Sequence, residues 1–387
     1  MKRVSLAVLG LLLVLALPEL RAAAAWEHGA AGSSNYFPIA VWLQNPVNAA
    51  RFKAVGINLF VGLWQGPTEA QLAALTAAQM PVICEQNAVG LRHKDNPLIV
   101  GWMHGDEPDN AQEIPGGKGY GPPIAPQKIV ADYARLKAAD PSRPILLNLG
   151  QGVAWDRYHG RGVRSNHPED YADYIRGSDM VSFDIYPAVH EHPDIAGKLW
   201  FVPQGVTRLR QWSRDEKTVW NCIECTRIGN TRIKPTPAQV RAEVWMSLIH
   251  GSRGLIYFVH QFKPRFIEAG LLADAEMTRA VSAINQQIVA LAPVLNSPTL
   301  PDAVAVTSSN AEVPIACMVK RQGGVTWLFA VAMRAGKTSA TFELKGAGTH
   351  VEVLGEARGM ESRGGKFQDT FEPYEVHLYR VDDSSTR

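Results

Sequence analysis

The sequence predicts a (β/α)8 barrel followed by a small all-β C-terminal sandwich domain. Between residues 37 and 262, a short apolar run, a polar loop and a stretch of helical periodicity recur in that order. Eight such runs are expected to be strands: Phe37 to Gln44, Ile57 to Trp64, Pro81 to Asn87, Ile99 to Glu107, Pro144 to Gly150, Met180 to Pro187, Thr218 to Thr226 and Gly254 to Phe262. Eight parallel strands are the number that closes such a barrel. The alternative is a doubly wound open sheet, which the count of eight and the lack of Gly-x-Gly-x-x-Gly after the first run disfavour.

The segments between these strands carry helix signals. Thr68-Glu69-Ala70-Gln71 has the pattern of a capping box and predicts a helix that runs to about residue 80. Another helix is expected from Ala125 to Ala139, because proline is favoured in the first turn and excluded from the interior. Thr236-Pro237 opens a third, which is expected to stop at Gly251.

The pattern changes after a long helix expected from Ala275 to Asn296. Residues 300 to 382 alternate short strands with turns and show no helical period. The strands expected there are Ala303 to Thr307, Ile315 to Arg321, Val325 to Ala332, Ser339 to Leu344, Val351 to Leu354 and Glu375 to Val381. Gly323-Gly324 predicts a hairpin turn. The expected division of the chain is therefore 1–25, 26–298 and 299–387, with the last part covering the barrel; carbohydrate binding of its own is the alternative role.

The first 25 residues have the features of a secretory signal peptide. Lys2 and Arg3 precede an apolar run from Leu6 to Leu17, and small residues around Ala23 suit cleavage. No later segment has the roughly 20 apolar residues that a bilayer crossing needs. The sequence therefore predicts a secreted or periplasmic protein that is not anchored in a membrane after cleavage.

The net charge of the chain indicates which kinds of ligand it is expected to bind. A formal net charge of +2, from 39 basic and 37 acidic side chains, offers no field for nucleic acid. A small neutral or weakly charged ligand fits better.

The four cysteines do not have the spacing of a disulfide framework, and Cys222 and Cys225 on one extended strand would lie about 10 Å apart, too far to bridge. Buried free thiols are expected.

Polar residues cluster where the predicted strands end. In barrels of this type the active site lies at the carboxyl ends of the strands, and polar groups buried there cost free energy unless they are paired. The candidate binding residues are Glu85, Asn87, Asp106, Asn148, Asp184, Tyr186 and His260. Aromatic rings also stack on sugars, and the tryptophans at strand ends or in the loops above them are Trp42, Trp64 and Trp155.

Two glutamates carry the chemistry in this interpretation. Glu107 ends the fourth predicted strand and Glu224 the seventh, each after an apolar, aromatic run. Hydrolysis of a glycosidic bond needs one carboxyl to protonate the leaving oxygen and a second to attack or stabilise the oxocarbenium-like carbon. A neighbouring negative charge and partial burial would keep Glu107 protonated until the first step is complete.

Gly105-Asp106-Glu107-Pro108 and Ile223-Glu224, within the pattern of residues 37 to 262, resemble the acid/base and nucleophile segments of the clan A retaining glycoside hydrolases. The resemblance implies a two-glutamate double displacement on an oligo- or polysaccharide, with carboxyls about 5 to 5.5 Å apart. Asp106 departs from the clan, which commonly has Asn there, and an ionised Asp accepts but does not donate a hydrogen bond. Tyr186 lies where the clan often has a side chain touching the nucleophile.

Two other functions fit parts of the pattern. A non-catalytic carbohydrate-binding barrel protein would use the same residues without cleavage. A metal-dependent hydrolase would be expected to have His-x-His on the first strand, where Ala40-Val41-Trp42-Leu43 stands. His190 and His192 lack further spaced ligands, so no metal and no cofactor are expected. No pattern in the sequence indicates an oligomeric state, a particular sugar or a linkage.

Overall fold

The computed structural model describes residues 28–29, 33–345 and 348–382. The signal peptide expected at residues 1–25 lies outside these residues. Within the described ranges, no helix is both long enough and apolar enough to cross a membrane.

Nine strand segments form one parallel sheet. They are β1 (Ile39–Trp42), β2 (Leu59–Val61), β3 (Val82–Glu85), β4 (Ile99–Met103), β5 (Ile145–Leu149), β6 (Met180–Phe183), β7 (Thr218–Val219), β8 (Asn221–Glu224) and β9 (Leu255–Phe258). Trp220 alone separates β7 from β8, and its N–H donates to the Val181 carbonyl at 2.9 Å, so the two segments make one strand. Because β7 pairs with β6, β8 with β9, and β9 with β1, the sheet closes. The predicted eight-stranded (β/α)8 barrel is confirmed, with each strand shorter at its ends than expected.

Strand side chains alternate between two apolar layers, because successive residues of a strand point to opposite faces. In β4, Trp102 packs in the large core outside the barrel, whereas Met103 packs in its interior. In β8, Ile223 packs outward and Cys222 inward. Strands buried on both faces read as nearly continuous apolar runs, which is why the sequence signal for them was strong.

Helices surround the sheet. They are α1 (Ala49–Ala54), α2 (Glu69–Ala77), α3 (Ala88–Arg92), α4 (Pro126–Ala139), α5 (Asp170–Tyr174), α6 (Phe201–Trp212), α7 (Pro237–Ile249), α8 (Ala275–Ala290) and α9 (Ala292–Leu295). Short 3-10 turns lie at Pro46–Asn48, Gln151–Val153, His159–Arg164, Ile175–Gly177 and Leu271–Ala273. The capping box at Thr68 and Gln71 is confirmed. The single helix expected from Ala275 to Asn296 is wrong: it breaks at Leu291, because Pro293 in the next turn cannot donate a backbone hydrogen bond.

Two antiparallel sheets follow the barrel. Their strands are β10 (Val304–Ser308), β11 (Ile315–Gln322), β12 (Val325–Ala332), β13 (Thr338–Leu344), β14 (His350–Val353), β15 (Arg358–Glu361), β16 (Lys366–Phe371) and β17 (Val376–Asp382). The sheet orders are β10-β13-β16 and β11-β12-β17-β14-β15. The hairpin at Gly323-Gly324 is confirmed, with φ of 60° and 77° in the left-handed region that glycine tolerates. Strands β15 and β16 were not expected, because charged residues and glycines interrupt their apolar alternation.

The C-terminal sheets pack on one side of the barrel. Trp245 of α7 stacks on Phe329 of β12, with ring centroids 5.3 Å apart. The Tyr374 hydroxyl donates to the Gly197 carbonyl at 2.8 Å, in the loop between β6 and α6. The C-terminal sheets therefore contact the barrel, as expected, through α7 and through the β6–α6 loop. The same loop continues into the cavity that is described next. The expected division at residues 298 and 299 lies between α9 and β10 and stays a prediction.

Candidate active site

A cavity of about 740 Å³ opens at the carboxyl ends of the strands. Eight of the residues singled out in the sequence line it: Trp42, Trp64, Asp106, Glu107, Asn148, Asp184, Tyr186 and His260. The other lining residues are Leu43, Gln44, Asn45, Gln71, Cys222, Phe258, Phe262, Phe266 and Glu268. The cavity has the size and the mainly apolar, aromatic walls of a small-molecule site.

The loop after β4 delivers Asp106 and Glu107 to the cavity. Its backbone follows β5, because the Glu107 N–H donates to the Asn148 carbonyl at 3.2 Å. Glu107 itself has a φ of 43°, a left-handed conformation that costs a non-glycine residue on the order of 1 kcal/mol or more. Strain of this kind persists where surrounding contacts enforce it, and here it directs the Glu107 side chain toward the neighbouring strand ends.

Asp109 anchors that loop from behind. It is fully buried and accepts hydrogen bonds from the Gly150 N–H at 2.9 Å and the Tyr171 hydroxyl at 2.8 Å. Arg161 is also buried, and its Nε donates to the Asp109 carbonyl at 3.2 Å. Burial raises the pKa of Asp109, whereas the hydrogen bonds it accepts oppose that rise. The β4 loop is therefore tied to the end of β5 by a buried polar network.

Glu107 and Asp184 meet inside the cavity. The two carboxyls are close enough for each to shift the pKa of the other, and no donor among the described residues reaches Asp184 Oδ1. Burial raises the pKa of Glu107 well above its usual range, and the negative charge of Asp184 raises it further. Burial also raises the pKa of Asp184, but its interaction with the Glu107 carboxyl opposes this rise. These directions favour a proton on Glu107 and a negative charge on Asp184.

Asp106 lies beside this pair and is held by a chain of hydrogen bonds. Asn148 Nδ2 donates to Asp106 Oδ1 at 2.9 Å, and Ser182 Oγ donates to Asn148 Oδ1 at 2.7 Å. Although the Asp106 side chain faces the open cavity, its loss of hydration below the rim raises its pKa to about 7, and the charge of Asp184 adds to this. Asp106 is thus positioned to accept a hydrogen bond from a ligand hydroxyl.

The floor of the cavity is apolar around the carboxyls. Tyr186 and Phe258 contact each other, with ring centroids 5.1 Å apart. Burial raises the pKa of the Tyr186 hydroxyl well above its usual range, and the nearby Asp184 charge adds to it. Burial likewise raises the pKa of the Cys222 thiol. Both groups are therefore neutral at physiological pH, and Cys222 does not present a thiolate nucleophile.

The structure does not bring Glu224 to the cavity. Its side chain is 0% exposed, and its two oxygens accept from the Ala188 N–H at 2.6 Å and the Val189 N–H at 3.0 Å. Its remaining neighbour is the carboxyl of Glu243 on α7, also fully buried. The loop after β6 thus covers the end of β8, a tertiary contact that the position of Glu224 at a strand end could not reveal.

Three further sequence candidates also lie away from the cavity. Glu85 ends β3 and is exposed to solvent outside the cavity lining. Asn87 caps α3 by accepting from the Gly90 N–H at 2.9 Å, and it donates to the Pro67 carbonyl at 2.9 Å. Trp155 is buried among other rings, and its centroid lies 4.7 Å from that of His192. Asn87 therefore caps a helix, Trp155 packs in an aromatic cluster, and Glu85 faces solvent.

Five of the lining residues that were not predicted to belong to the site fall into two groups. Cys222 and Phe258 lie on β8 and β9 in phase with other inward-facing residues, so strand alternation was the signal that could have found them. Phe262, Phe266 and Glu268 lie in the loop after β9, where no periodicity exists. Among the described residues that line the cavity, every charged side chain is acidic: Asp106, Glu107, Asp184 and Glu268.

His190 and His192 lie in the loop after β6, beside Trp155. Their ring centroids are 6.4 Å apart, and His190 Nε2 lies 3.0 Å from Gln151 Oε1. Across the described residues, no group of three or more His, Cys, Asp or Glu side chains is arranged to hold a metal ion. The two histidines are therefore part of an aromatic cluster on the rim.

Comparisons with known proteins bear on the fold. No protein-family model matches the chain, and no curated protein matches it. The solved structure of AmyP in complex with maltose matches 92% of this chain and 98% of its own, with 9% sequence identity and a TM-score of 0.51. α-Galactosidase I from Mortierella vinacea matches 92% of this chain and 99% of its own, with 11% identity and a TM-score of 0.53. The expected resemblance to glycoside hydrolase barrels is thus confirmed for the fold.

Proposed function

We propose that this protein is a glycoside hydrolase in which Glu107 is the general acid and Asp184 the ionised carboxylate. The observation that carries the proposal is that these two carboxyls lie together in an aromatic-walled cavity at the carboxyl ends of the barrel strands, where each shifts the pKa of the other. Two titratable groups with opposite protonation states at one point provide the acid and the anion that glycosidic cleavage needs. Structures with the same fold include AmyP in complex with maltose and an α-galactosidase, which is in keeping with this assignment.

In the proposed reaction, Glu107 protonates the glycosidic oxygen while Asp184 attacks the anomeric carbon, so the leaving group departs as an alcohol. The resulting glycosyl ester removes the negative charge of Asp184, and the pKa of Glu107 falls. Glu107 then acts as the base that takes a proton from water, and the water hydrolyses the ester. Inverting enzymes hold their carboxyls about 6.5 to 9.5 Å apart to leave room for a water molecule. The Glu107–Asp184 pair is nearer to the roughly 5 to 5.5 Å of retaining enzymes, and we propose retention of configuration, with the two carboxyls separating to admit the sugar.

The charges of the cavity restrict the sugar. Four acidic side chains and, among the described lining residues, no lysine or arginine disfavour a uronate, a sialic acid or a sugar phosphate. A neutral sugar can donate hydroxyl hydrogen bonds to Asp106, and an amino sugar would gain further from the acidic surroundings. The proposed substrate therefore carries a neutral or amino sugar at the bond that is cleaved.

We further propose that the protein acts outside the cytoplasm. Support comes from the basic, apolar and small-residue order of residues 1–25. Expression of the full chain in a bacterial host, followed by fractionation and sequencing of the mature N-terminus, tests this. A mature chain that begins near Trp26 in the periplasm or medium supports it, and an uncleaved chain in the cytoplasm contradicts it.

The assignment of the carboxyls is tested with a panel of aryl glycosides of neutral, amino and acidic sugars. Turnover of a neutral or amino sugar by the wild type, lost in Asp184→Asn and retained in folded Glu224→Gln, supports the proposal. Turnover that is retained in Asp184→Asn and lost in Glu224→Gln would instead identify Glu224 as the second catalytic carboxyl. Sugar binding without turnover on every member of the panel would instead identify a carbohydrate-binding protein. Proton NMR of the first-formed anomer decides between retention and inversion.

A further inference from the structure

The mouth of the cavity carries an unusual set of exposed rings. Trp64 is 68% exposed, Phe266 61% and Phe262 49%, and all three line the same cavity as Glu107 and Asp184. Scattered apolar side chains on a protein surface need no explanation, but a contiguous apolar patch marks a binding site. Phe262 and Phe266 lie side by side, with ring centroids 5.8 Å apart, and Trp64 lines the same cavity from another loop. We refer to Trp64, Phe262 and Phe266 as the mouth rings.

The mouth rings are held in place by the protein before any ligand binds. The His260 ring stacks with Phe262 at a centroid distance of 6.0 Å and with Phe266 at 6.2 Å. The loop that carries them is closed by two backbone hydrogen bonds between Gln261 and Ile267, of 3.0 and 2.8 Å. A preformed surface binds at a lower entropic cost than one that must be ordered.

Trp64 is fixed on the other side by the start of α2. Gln71 Nε2 donates to the Trp64 carbonyl at 2.9 Å, and Gln71 Oε1 accepts from the Thr68 N–H at 2.9 Å. The indole contacts none of the other described aromatic rings closely enough to stack on them, so its faces are open to a ligand. The β2–α2 loop therefore presents one ring and the loop after β9 presents two.

The polar side chains at the mouth already have partners within the protein. Besides Gln71, Asn45 Oδ1 accepts from the Val47 N–H at 3.1 Å, and Glu268 Oε1 accepts from the Asn45 N–H at 2.7 Å. Gln44 Nε2 donates to the Glu268 carbonyl at 3.0 Å. A second sugar ring brings several hydroxyls that need new hydrogen-bond partners when they leave water. Gln44 Oε1 and His260 Nδ1 have no partner among the described residues, but both atoms are themselves buried. Besides Asn45 and Glu268, the exposed surface of the mouth therefore consists mainly of its three rings.

We propose that the mouth rings bind an aromatic aglycone, so that the substrate is an aryl glycoside. This proposal rests on the proposed function, because it places the sugar at the carboxyls on the floor and its leaving group at the mouth. A cavity of about 740 Å³ has room for a sugar and a flat ring system together. A flat apolar ring stacks on phenylalanine and tryptophan and needs no hydrogen bonds there.

The binding test needs no turnover. Isothermal titration with naphthol, hexanol and maltose is carried out on the wild type, Trp64→Ala, Phe266→Ala and the matched control Tyr120→Ala, whose ring is 74% exposed but outside the cavity. Naphthol is expected to bind the wild type more tightly than hexanol or maltose does. Each mouth variant is expected to weaken naphthol binding about 10-fold, and the control to leave it unchanged.

Three results would overturn this proposal: no naphthol binding, equal binding by the mouth variants and the wild type, or tighter binding of maltose that depends on the mouth rings. The third result would identify a second sugar site. The two proposals fail separately. If naphthol binding depends on the mouth rings but no glycoside is hydrolysed, the proposed hydrolase function is wrong and the aromatic site stands. If hydrolysis is efficient and unchanged in Trp64→Ala and Phe266→Ala, the hydrolase function stands and the aromatic site is wrong.

Discussion

Glu107 and Asp184 reach the same cavity from the ends of β4 and β6, and each of their carboxyls shifts the pKa of the other. The strands are separated in the sheet by β5 alone. Asn148, at the end of β5, donates to Asp106 rather than to either member of the pair. The pair is therefore not neutralised by a cation or divided by an amide, and its two pKa values depend on each other.

Asp184→Asn is expected to lower the pKa of Glu107. Burial of Glu107 is unchanged, but the negative charge that also raises its pKa is removed. The pKa is read by carbon NMR titration of protein labelled at glutamate side-chain carboxyls, with Glu107→Gln to assign the signal. Asp106→Asn is the comparison and should lower the pKa of Glu107 by less, because the charge of Asp106 contributes less to that pKa than the charge of Asp184 does. A Glu107 titration that stays in place in Asp184→Asn would contradict the pairing.

Glu107→Gln is expected to make turnover depend on the leaving group. An amide at this position cannot protonate the glycosidic oxygen, so a phenyl glycoside should react about 10²- to 10⁴-fold more slowly than with the wild type. A dinitrophenyl glycoside leaves without protonation and should form the glycosyl ester at a rate much closer to the wild type. The measurement is burst kinetics with both substrates. Equal losses on both would show that Glu107 is not the general acid.

The basic limb of the pH–rate profile provides a further test of the same pair. A raised pKa of Glu107 means that the acid stays protonated at neutral pH, so kcat/KM on a phenyl glycoside should persist there and fall at more alkaline pH. The fall follows the loss of the proton from the pair, and it should move to lower pH in Asp106→Asn, which removes a negative neighbour. The profile on a dinitrophenyl glycoside is the control, since its departure needs no proton. A basic limb that is identical for both substrates would contradict the role of Glu107.

Much of this site could be predicted because the sequence indicates where the strands end. Asp106, Glu107, Asn148 and Asp184 each follow an apolar run, and barrel closure brings such residues to one rim. Glu224 follows an apolar run in the same way, yet the Ala188 and Val189 N–H groups cover it. Backbone groups of a distant loop leave no signature at residue 224. Phe262 and Phe266 were not predicted for a related reason. The directions of their side chains depend on hydrogen bonds within a loop, and a loop has no periodic sequence pattern.

Gly150→Ala is expected to displace the Glu107 side chain. A Cβ added at Gly150 would lie 2.9 Å from Glu107 Oε1 and 2.6 Å from Asn110 Oδ1, closer than a methyl group allows. Because a shift of about 1 Å at a catalytic group costs on the order of 10²-fold in rate, kcat/KM should fall by about that factor while the thermal midpoint changes little. Gly105→Ala is the matched control in the β4 loop, since its Cβ would meet nothing within 4 Å. Similar activity in the two variants would refute this placement of Glu107.

The buried pair of Glu224 and Glu243 predicts a pH-dependent stability that is separate from catalysis. Burial raises the pKa of Glu224 to about 7, although hydrogen bonds from Glu243 and from two backbone N–H groups oppose the rise. It also raises the pKa of Glu243 well above the usual range, with the Glu224 charge adding to it. The folded protein therefore binds protons that the unfolded chain has already released. For Glu224 the stabilisation is complete below about pH 4.5 and is lost as the pH rises through about 7, a decrease on the order of 3 kcal/mol in the free energy of unfolding. Glu243, whose pKa is also raised, adds to this decrease.

Glu243→Gln tests this because its amide can still donate to Glu224 while one titrating carboxyl is removed. The free energy of unfolding, measured by urea denaturation at about pH 5 and about pH 8, should decrease less between the two conditions than it does in the wild type. Glu85→Gln is the matched control, since Glu85 is exposed and lies outside the cavity. If Glu243→Gln and the wild type lost equal stability over that interval, the two carboxyls would not share a proton, and the loop over β8 would owe its position to the backbone hydrogen bonds of Ala188 and Val189 alone.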